Sequence, residues 1–324
     1  MALRIIFMGT PELAGESLKA LLRSPEFQVV AVVTQPDQPK GRGMKLQPSP
    51  VKEIALQHQL PVLQPERARN EQFIEQLRSC NPDLIAVAAY GQILPKSILD
   101  LPRFGCLNVH TSLLPKYRGA APIQRAILDG ETETGVTIMK MDVGMDTGDI
   151  VTQEKTTIAH SDNSQTLHDR LAQIGAALLV KTIPDYVAGK IQPHPQPVEG
   201  VSHAAKIKKQ DGRIDWSQPA RSIWNRIRAM TPWPGAFSYL ESNDQPQLLK
   251  IWEATPEERG GAAGEVLSAD KTGIVVGCGD GALRILMLQR EGGKRLSAQE
   301  FLAGHPLTAG RRFVNPVEGP GSSL

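Results

Sequence analysis

Along its first 189 residues the chain alternates short apolar runs with polar stretches marked by proline and glycine. Leu3 to Met8 is apolar almost throughout, the pattern of a strand buried on both faces. Leu13, Leu18, Leu21 and Leu22 then fall at helical spacing, with Thr10 as a candidate cap and Pro11 suited to the first helical position. Val29 to Thr34 reads as a second buried strand. A strand–helix–strand opening predicts a parallel sheet, because parallel neighbours need a crossover. Further helices are predicted over Pro50–His58, Asn70–Ser79 and Ala120–Leu128, and from Leu167 to about Lys181. Further strands are predicted over Leu84–Ala89, Leu107–His110, Gly135–Met141 and Ile150–Thr157. Between Gln35 and Pro50 lies a stretch with four prolines and two glycines, which predicts a long loop.

The pattern changes after Gly189. Gly189 to Gln210 carries three prolines and the run Lys206-Ile-Lys-Lys209, which reads as an inter-domain linker. Ser217 is positioned to cap a helix bearing Ile223, Trp224 and Ile227, stopped by Pro232 and Pro234. Short strands follow at 236–240, 248–253, 265–267, 273–276 and 283–288, and Ser297 with Glu300 forms a capping box. Close-spaced short strands predict a small β-barrel. The predicted organisation is a first domain over 1–189, a linker over 190–209, a barrel over 210–314 and a frayed tail over 315–324.

Composition narrows the class without naming a function. In 324 residues, 40% hydrophobic and 22% charged content is that of an ordinary globular protein. The net charge of +2 gives no strong global field. Residues 1–189 hold 19 Lys and Arg against 20 Asp and Glu, and the remainder 17 against 14, a mildly basic second half. Cys80, Cys106 and Cys278 form no CxxC pair, so neither a zinc site nor a disulfide framework is indicated; buried thiols in the cytoplasm are expected. The N-terminus does not read as a signal peptide, and no apolar run approaches a membrane span. A glycine fingerprint after the first strand is missing, which disfavours a nucleotide-binding dehydrogenase or P-loop enzyme.

The candidate chemistry lies at strand ends. Asn108 and His110 interrupt an apolar strand at a spacing of two, which puts both on one face. Polar groups there are costly unless they have partners or a task. Asp146 stands in the glycine-containing loop Asp142–Asp149. If the three converge, their inventory suits acyl transfer to an amine. Asn108 offers a neutral N–H to an oxyanion, His110 donates or moves a proton, and Asp146 orients the ring or takes the proton of the attacking amine. Neither a GxSxG elbow nor a cysteine is placed for a covalent intermediate, and no metal-ligand spacing is present.

Asn108-x-His110, the following Ser112-Leu113-Leu114-Pro115 and Asp146 in GMDTGD resemble the folate-dependent formyltransferases. FMGTPELA at 7–14, GRGMKLQPSPVK at 41–52, SLLPKYRGAAPIQRAI at 112–127 and a second domain of this size extend the resemblance over nearly the whole chain, most closely to members acting on methionyl-tRNA. The resemblance implies an α/β fold with a Rossmann-like catalytic domain on a parallel sheet, and a C-terminal OB-like barrel. It implies Asn108, His110 and Asp146 as catalytic residues, with Asp146 holding His110 in position. It also implies that Ser112, Leu113, Leu114 and Pro115 bind tetrahydrofolate, with Val87, Tyr90 and Asp142 along the pterin. Arg42 and Lys45 are implied to meet the tRNA acceptor end, with Lys206, Lys208 and Lys209 adding phosphate contacts. The implied co-substrate is 10-formyltetrahydrofolate, without a metal, and the implied acceptor is methionyl initiator tRNA; a sugar-nucleotide amine is the alternative. A cytoplasmic monomer is expected.

Overall fold

Ile5, Ile6, Phe7 and Met8 are all fully buried in β1 (Leu3–Gly9), so the first strand has no solvent face, as its unbroken apolar run requires. The computed structural model describes residues 2–40, 45–242 and 245–314. In chain order come α1 (Glu12–Arg23), β2 (Phe27–Val33), β3 (Gln38–Lys40), β4 (Lys45–Gln47), α2 (Pro50–Gln57), β5 (Val62–Leu63), α3 (Glu71–Ser79), β6 (Leu84–Ala88) and α4 (Lys96–Leu99). Then follow β7 (Cys106–His110), β8 (Arg118–Gly119), α5 (Pro122–Leu128), β9 (Glu133–Lys140), β10 (Ile150–Thr157), α6 (Ser164–Val187) and β11 (His203–Ala204).

These strands build a seven-stranded sheet in the order β10-β9-β7-β6-β1-β2-β5. The five from β5 to β7 run parallel, while β9 is antiparallel to both β7 and β10. The sheet therefore has the predicted parallel arrangement over five strands, with β9 and β10 added by antiparallel pairing at one edge. β9 and β10 form a hairpin across the loop 141–149, and a hairpin must reverse direction. Strand order switches sides at β1 and β6, so the carboxyl ends of β1, β6 and β7 border the crevice where such sheets bind ligands.

On one face, Ile6, Met8, Ile85, Val87 and Cys106 pack under Phe73 and Leu77 of α3 and Ile98 and Leu99 of α4. On the other, Val109 and Val136 meet Gly175 of α6, where a Cβ would fall 2.7 Å from Val109 Cγ1. Asn108 and His110 share the parity of Cys106 and so lie on the α3–α4 side.

Local details depart from the sequence pattern at several places. The cap of α1 is Pro11, not Thr10; the Thr10 hydroxyl instead donates to the Tyr90 carbonyl and accepts from Gln35 N–H. Part of the expected 35–50 loop is the hairpin β3–β4. Helix α6 runs on past Lys181, with Pro184 inside it. The 190–209 stretch is no free linker: His194 bridges Ile150, and β11 pairs with β8. Residues through 205 accordingly belong with the first of two structural units, comprising 1–122, 133–157 and 167–205.

The second unit comprises 123–132, 158–166 and 206–324. Its later elements are α7 (Ala220–Ala229), β12 (Ala236–Leu240), β13 (Gln247–Glu257), β14 (Val266–Asp270), β15 (Gly273–Gly277), β16 (Ala282–Arg290), β17 (Arg295–Ser297), α8 (Ala298–Gly304) and β18 (Phe313–Val314). Helix α7 starts after Pro219 rather than at Ser217, whose hydroxyl donates to Asp215. The antiparallel order β14-β15-β16-β13-β12-β18 curls back on itself. Val266 N–H donates to Arg311 O at 2.8 Å and Phe313 N–H to Gly264 O at 2.7 Å, joining the two ends as a barrel requires. Ser297 closes the expected capping box with Glu300. Among the described residues no helix is long and apolar enough to cross a membrane.

Candidate active site

The carboxyl end of β7 carries Asn108 and His110, 8% and 6% exposed. Asn108 sits in register between Val87 of β6 and Met139 of β9, and its carboxamide hydrogen-bonds to no described residue. Its polar atoms are not sealed from solvent, so the amide opens outward and is positioned to serve a ligand.

His110 is fixed from one side. Its Nε2 lies 2.9 Å from the Tyr117 carbonyl, an acceptor only, so Nε2 carries the hydrogen. Nδ1 is the nitrogen left for chemistry, and it faces Asp146 Oδ2 at 3.7 Å. That separation exceeds a hydrogen bond. The Tyr117 carbonyl fixes the ring through its other nitrogen, and Asp146 faces Nδ1 across a gap, within ion-pair range of a protonated ring. Asp146 Oδ2 is itself held by the Gly119 N–H at 2.8 Å.

The backbone around the trio is unusual. Ala89, Tyr117 and Asp146 adopt φ of 43°, 62° and 53°, a left-handed region that costs non-glycine residues energy and persists where surroundings impose it. Gly119, at φ 120°, meets a stricter limit: a Cβ there would lie 2.7 Å from the Ala204 carbonyl.

The turn after β7 is built by strands the sequence did not connect to it. Thr137 of β9 donates its hydroxyl to Ser112 O (2.7 Å) and accepts from Leu114 N–H (3.1 Å). Gln153, its register partner on β10, donates to Thr137 Oγ1 and to Leu114 O, both at 2.9 Å. Thr137→Val keeps the shape and strands the buried Ser112 carbonyl and Leu114 N–H, each at about 1–3 kcal/mol. The expected outcome is a melting temperature lower by roughly 5–10 °C, while Thr137→Ser retains the parent value. Thermal melts check it.

The expected folate-binding residues divide by position. Ser112 is fully buried and its hydroxyl donates to Lys116 O; Leu114 packs with Met139 and Ile150, so both shape the turn from within. Leu113 and Pro115 are half-buried on the same turn. Val87 flanks Asn108. The Tyr90 hydroxyl is buried without a partner, and burial pushes its pKa up to about 12, so it stays protonated. Asp142 is exposed, and its carboxylate is turned onto its own loop, accepting from Gly144 N–H and Thr147 Oγ1. Lys206, Lys208 and Lys209 are exposed in the second unit. Arg42 and the tail 315–324 lie outside the described residues, as does the Lys45 side chain.

Cys106 is the nearest thiol in sequence to the trio. Burial, with a smaller push from Asp100, raises its pKa to about 12, so it supplies no thiolate at neutral pH. Among the described residues no group of three or more His, Cys, Asp or Glu is arranged to hold a metal ion.

Residues 3–183 match the family model for formyl transferase, and residues 206–306 match the formyl transferase C-terminal domain. With a strand-end Asn-x-His and a facing Asp, these matches define the class as a two-domain formyl transferase. The chain is 52% identical over 308 residues to the methionyl-tRNA formyltransferase of Citrifermentans bemidjiense, covering 95% of each chain. It is 50% identical over 311 residues to that of Aromatoleum aromaticum, covering 96% of this chain and 97% of the relative. Within the class, the chain belongs to the methionyl-tRNA formyltransferase family. Two solved structures share the fold at lower identity. The sugar 3N-formyl transferase WlaRD superposes with a TM-score of 0.64 at 20% identity, over 90% of this chain and 98% of that one. HypX from Aquifex aeolicus, in complex with tetrahydrofolic acid, superposes with a TM-score of 0.60 at 18% identity, over 93% of this chain and 47% of that one.

Proposed function

We propose that this enzyme transfers the formyl group of 10-formyltetrahydrofolate to the α-amino group of methionyl initiator tRNA, in the cytoplasm. The observation that carries the reading is the grouping of an unpartnered Asn108 amide, the Nδ1 of His110 and the Asp146 carboxylate at the sheet's ligand-binding edge, in a chain about half identical to methionyl-tRNA formyltransferases. The methionyl amine attacks the formyl carbon directly. The Asn108 N–H, and His110 when protonated at Nδ1, donate to the developing oxyanion. The proton of the attacking nitrogen leaves to Asp146, through water where the gap requires it, and N10 of the folate receives a proton as its bond to the formyl carbon breaks. The Ser112–Pro115 turn, Val87 and Tyr90 hold the folate in this reading, Asp142 shaping the adjoining loop.

Arg42 and Lys45 serve the acceptor end, and Lys206, Lys208 and Lys209 the phosphates beyond it. Arg42→Ala is expected to lower kcat/KM for charged tRNA about tenfold, the value of a lost charged contact, with folate affinity unchanged. Steady-state kinetics and a folate titration check this; an equal loss of folate binding would give the loop a structural role instead. An acceptor panel tests the whole reading: methionyl initiator tRNA, charged elongator tRNA and a sugar-nucleotide amine are offered with 10-formyltetrahydrofolate. Formylation selective for the initiator is expected. Preference for the sugar amine would overturn it.

A further inference from the structure

Gln196 sits in the proline-flanked stretch Pro193–Pro197, where nothing in the sequence marks it. Its carboxamide nevertheless makes four hydrogen bonds. Oε1 accepts from Arg118 Nε at 3.0 Å and Nη2 at 2.7 Å. Nε2 donates to Asp146 O and Gly148 O, both at 2.8 Å. The guanidinium only donates and the two carbonyls only accept, so the amide's orientation is set by its partners and its full capacity is used.

These bonds join the two loops that place the Asp146 carboxylate. One is the 146–148 turn, in which Asp146 is held at a φ of 53°. The other is the 117–119 segment, whose Gly119 N–H grips Asp146 Oδ2 and whose Tyr117 carbonyl holds His110. The same 194–204 stretch also fastens that segment from behind: Tyr117 N–H donates to Ser202 Oγ and Arg118 N–H to Ser202 O, both at 2.9 Å.

We propose that Gln196 is a positioning residue for formyl transfer, clamping the Asp146 turn to Arg118 so that the carboxylate stays opposite His110 Nδ1. The proposal rests on the reading of Asp146 as the group that takes the proton. Loss of the clamp frees the turn to leave its unfavourable conformation, and displacement of a reacting group by about 1 Å is worth up to a hundredfold in rate.

The test is a mutant cycle on the full chain. Gln196→Ala is expected to lower kcat about 10- to 100-fold, because the carboxylate is misplaced rather than removed. KM for the folate should change by less than about twofold, since uniform binding is not what is lost. Gln196→Glu keeps an acceptor for Arg118 but loses both donors to the turn, so it should fall with Gln196→Ala; it also decides the matter if the alanine variant does not fold. In an Asp146→Asn background, Gln196→Ala should cost less than about threefold, because coupled residues are not additive. Undiminished kcat in either Gln196 variant, or a full-size additional loss in the Asp146→Asn background, would overturn the proposal. Unchanged kcat for Asp146→Asn alone would instead remove the reading beneath it, whatever Gln196 does.

Discussion

Asp146→Asn is expected to lower kcat by about 10²–10⁴-fold, the usual worth of a positioned acid or base. The substitution is nearly isosteric. The asparagine oxygen still accepts the Gly119 N–H that holds the carboxylate at 2.8 Å, so the turn keeps its anchor. What is lost is the negative charge facing His110 Nδ1 at 3.7 Å and the ability to take a proton from the attacking amine. Melting temperature and folate affinity should therefore hold while turnover collapses. Steady-state kinetics beside a thermal melt separate the two; turnover equal to the parent in a folded variant would take Asp146 out of the mechanism.

Asn108→Ala is expected to cost about 10²–10³-fold in kcat, the scale of losing one oxyanion donor. The side chain has no hydrogen bond to a described residue, so its removal leaves no protein group stranded. It is 8% exposed between Val87 and Met139, so a short apolar replacement is tolerated there. The loss should fall on kcat with KM for the folate little changed, because the donor is needed only as the oxyanion forms. A rise in KM with kcat intact would make Asn108 a ground-state folate contact.

Much of this was written in the local pattern. The buried run Ile5–Met8 fixes a strand without a solvent face, and Asn108 and His110 stand out because polar residues two apart in such a strand must share a face. Strand direction is not in that pattern: alternation is the same in parallel and antiparallel strands, so the reversal of β9 and β10 appears only in the pairing. Thr10 has the chemistry of a helix cap, yet its hydroxyl is drawn to the Tyr90 carbonyl, a partner 80 residues away. The clamps were invisible for the same reason. Thr137 reads as one more β-branched strand residue, and Gln196 as linker, until their partners at 112–118 and 146–148 are brought beside them. The ring of His110 is held by a backbone carbonyl, and a carbonyl has no sequence signature.

Direct transfer of the formyl group between folate and methionyl-tRNA, as proposed for the Asn108–His110–Asp146 site, is tested by rapid quench of a single turnover, with the enzyme loaded with formyl-labelled 10-formyltetrahydrofolate and mixed with methionyl initiator tRNA. The predicted result is a single phase in which label passes from folate to the methionyl amine, with none on protein, and in which Asp146→Asn slows that phase by the same factor as kcat. Label on the protein before it reaches tRNA, or label released as formate with the tRNA unmodified, would rule out direct transfer at this site.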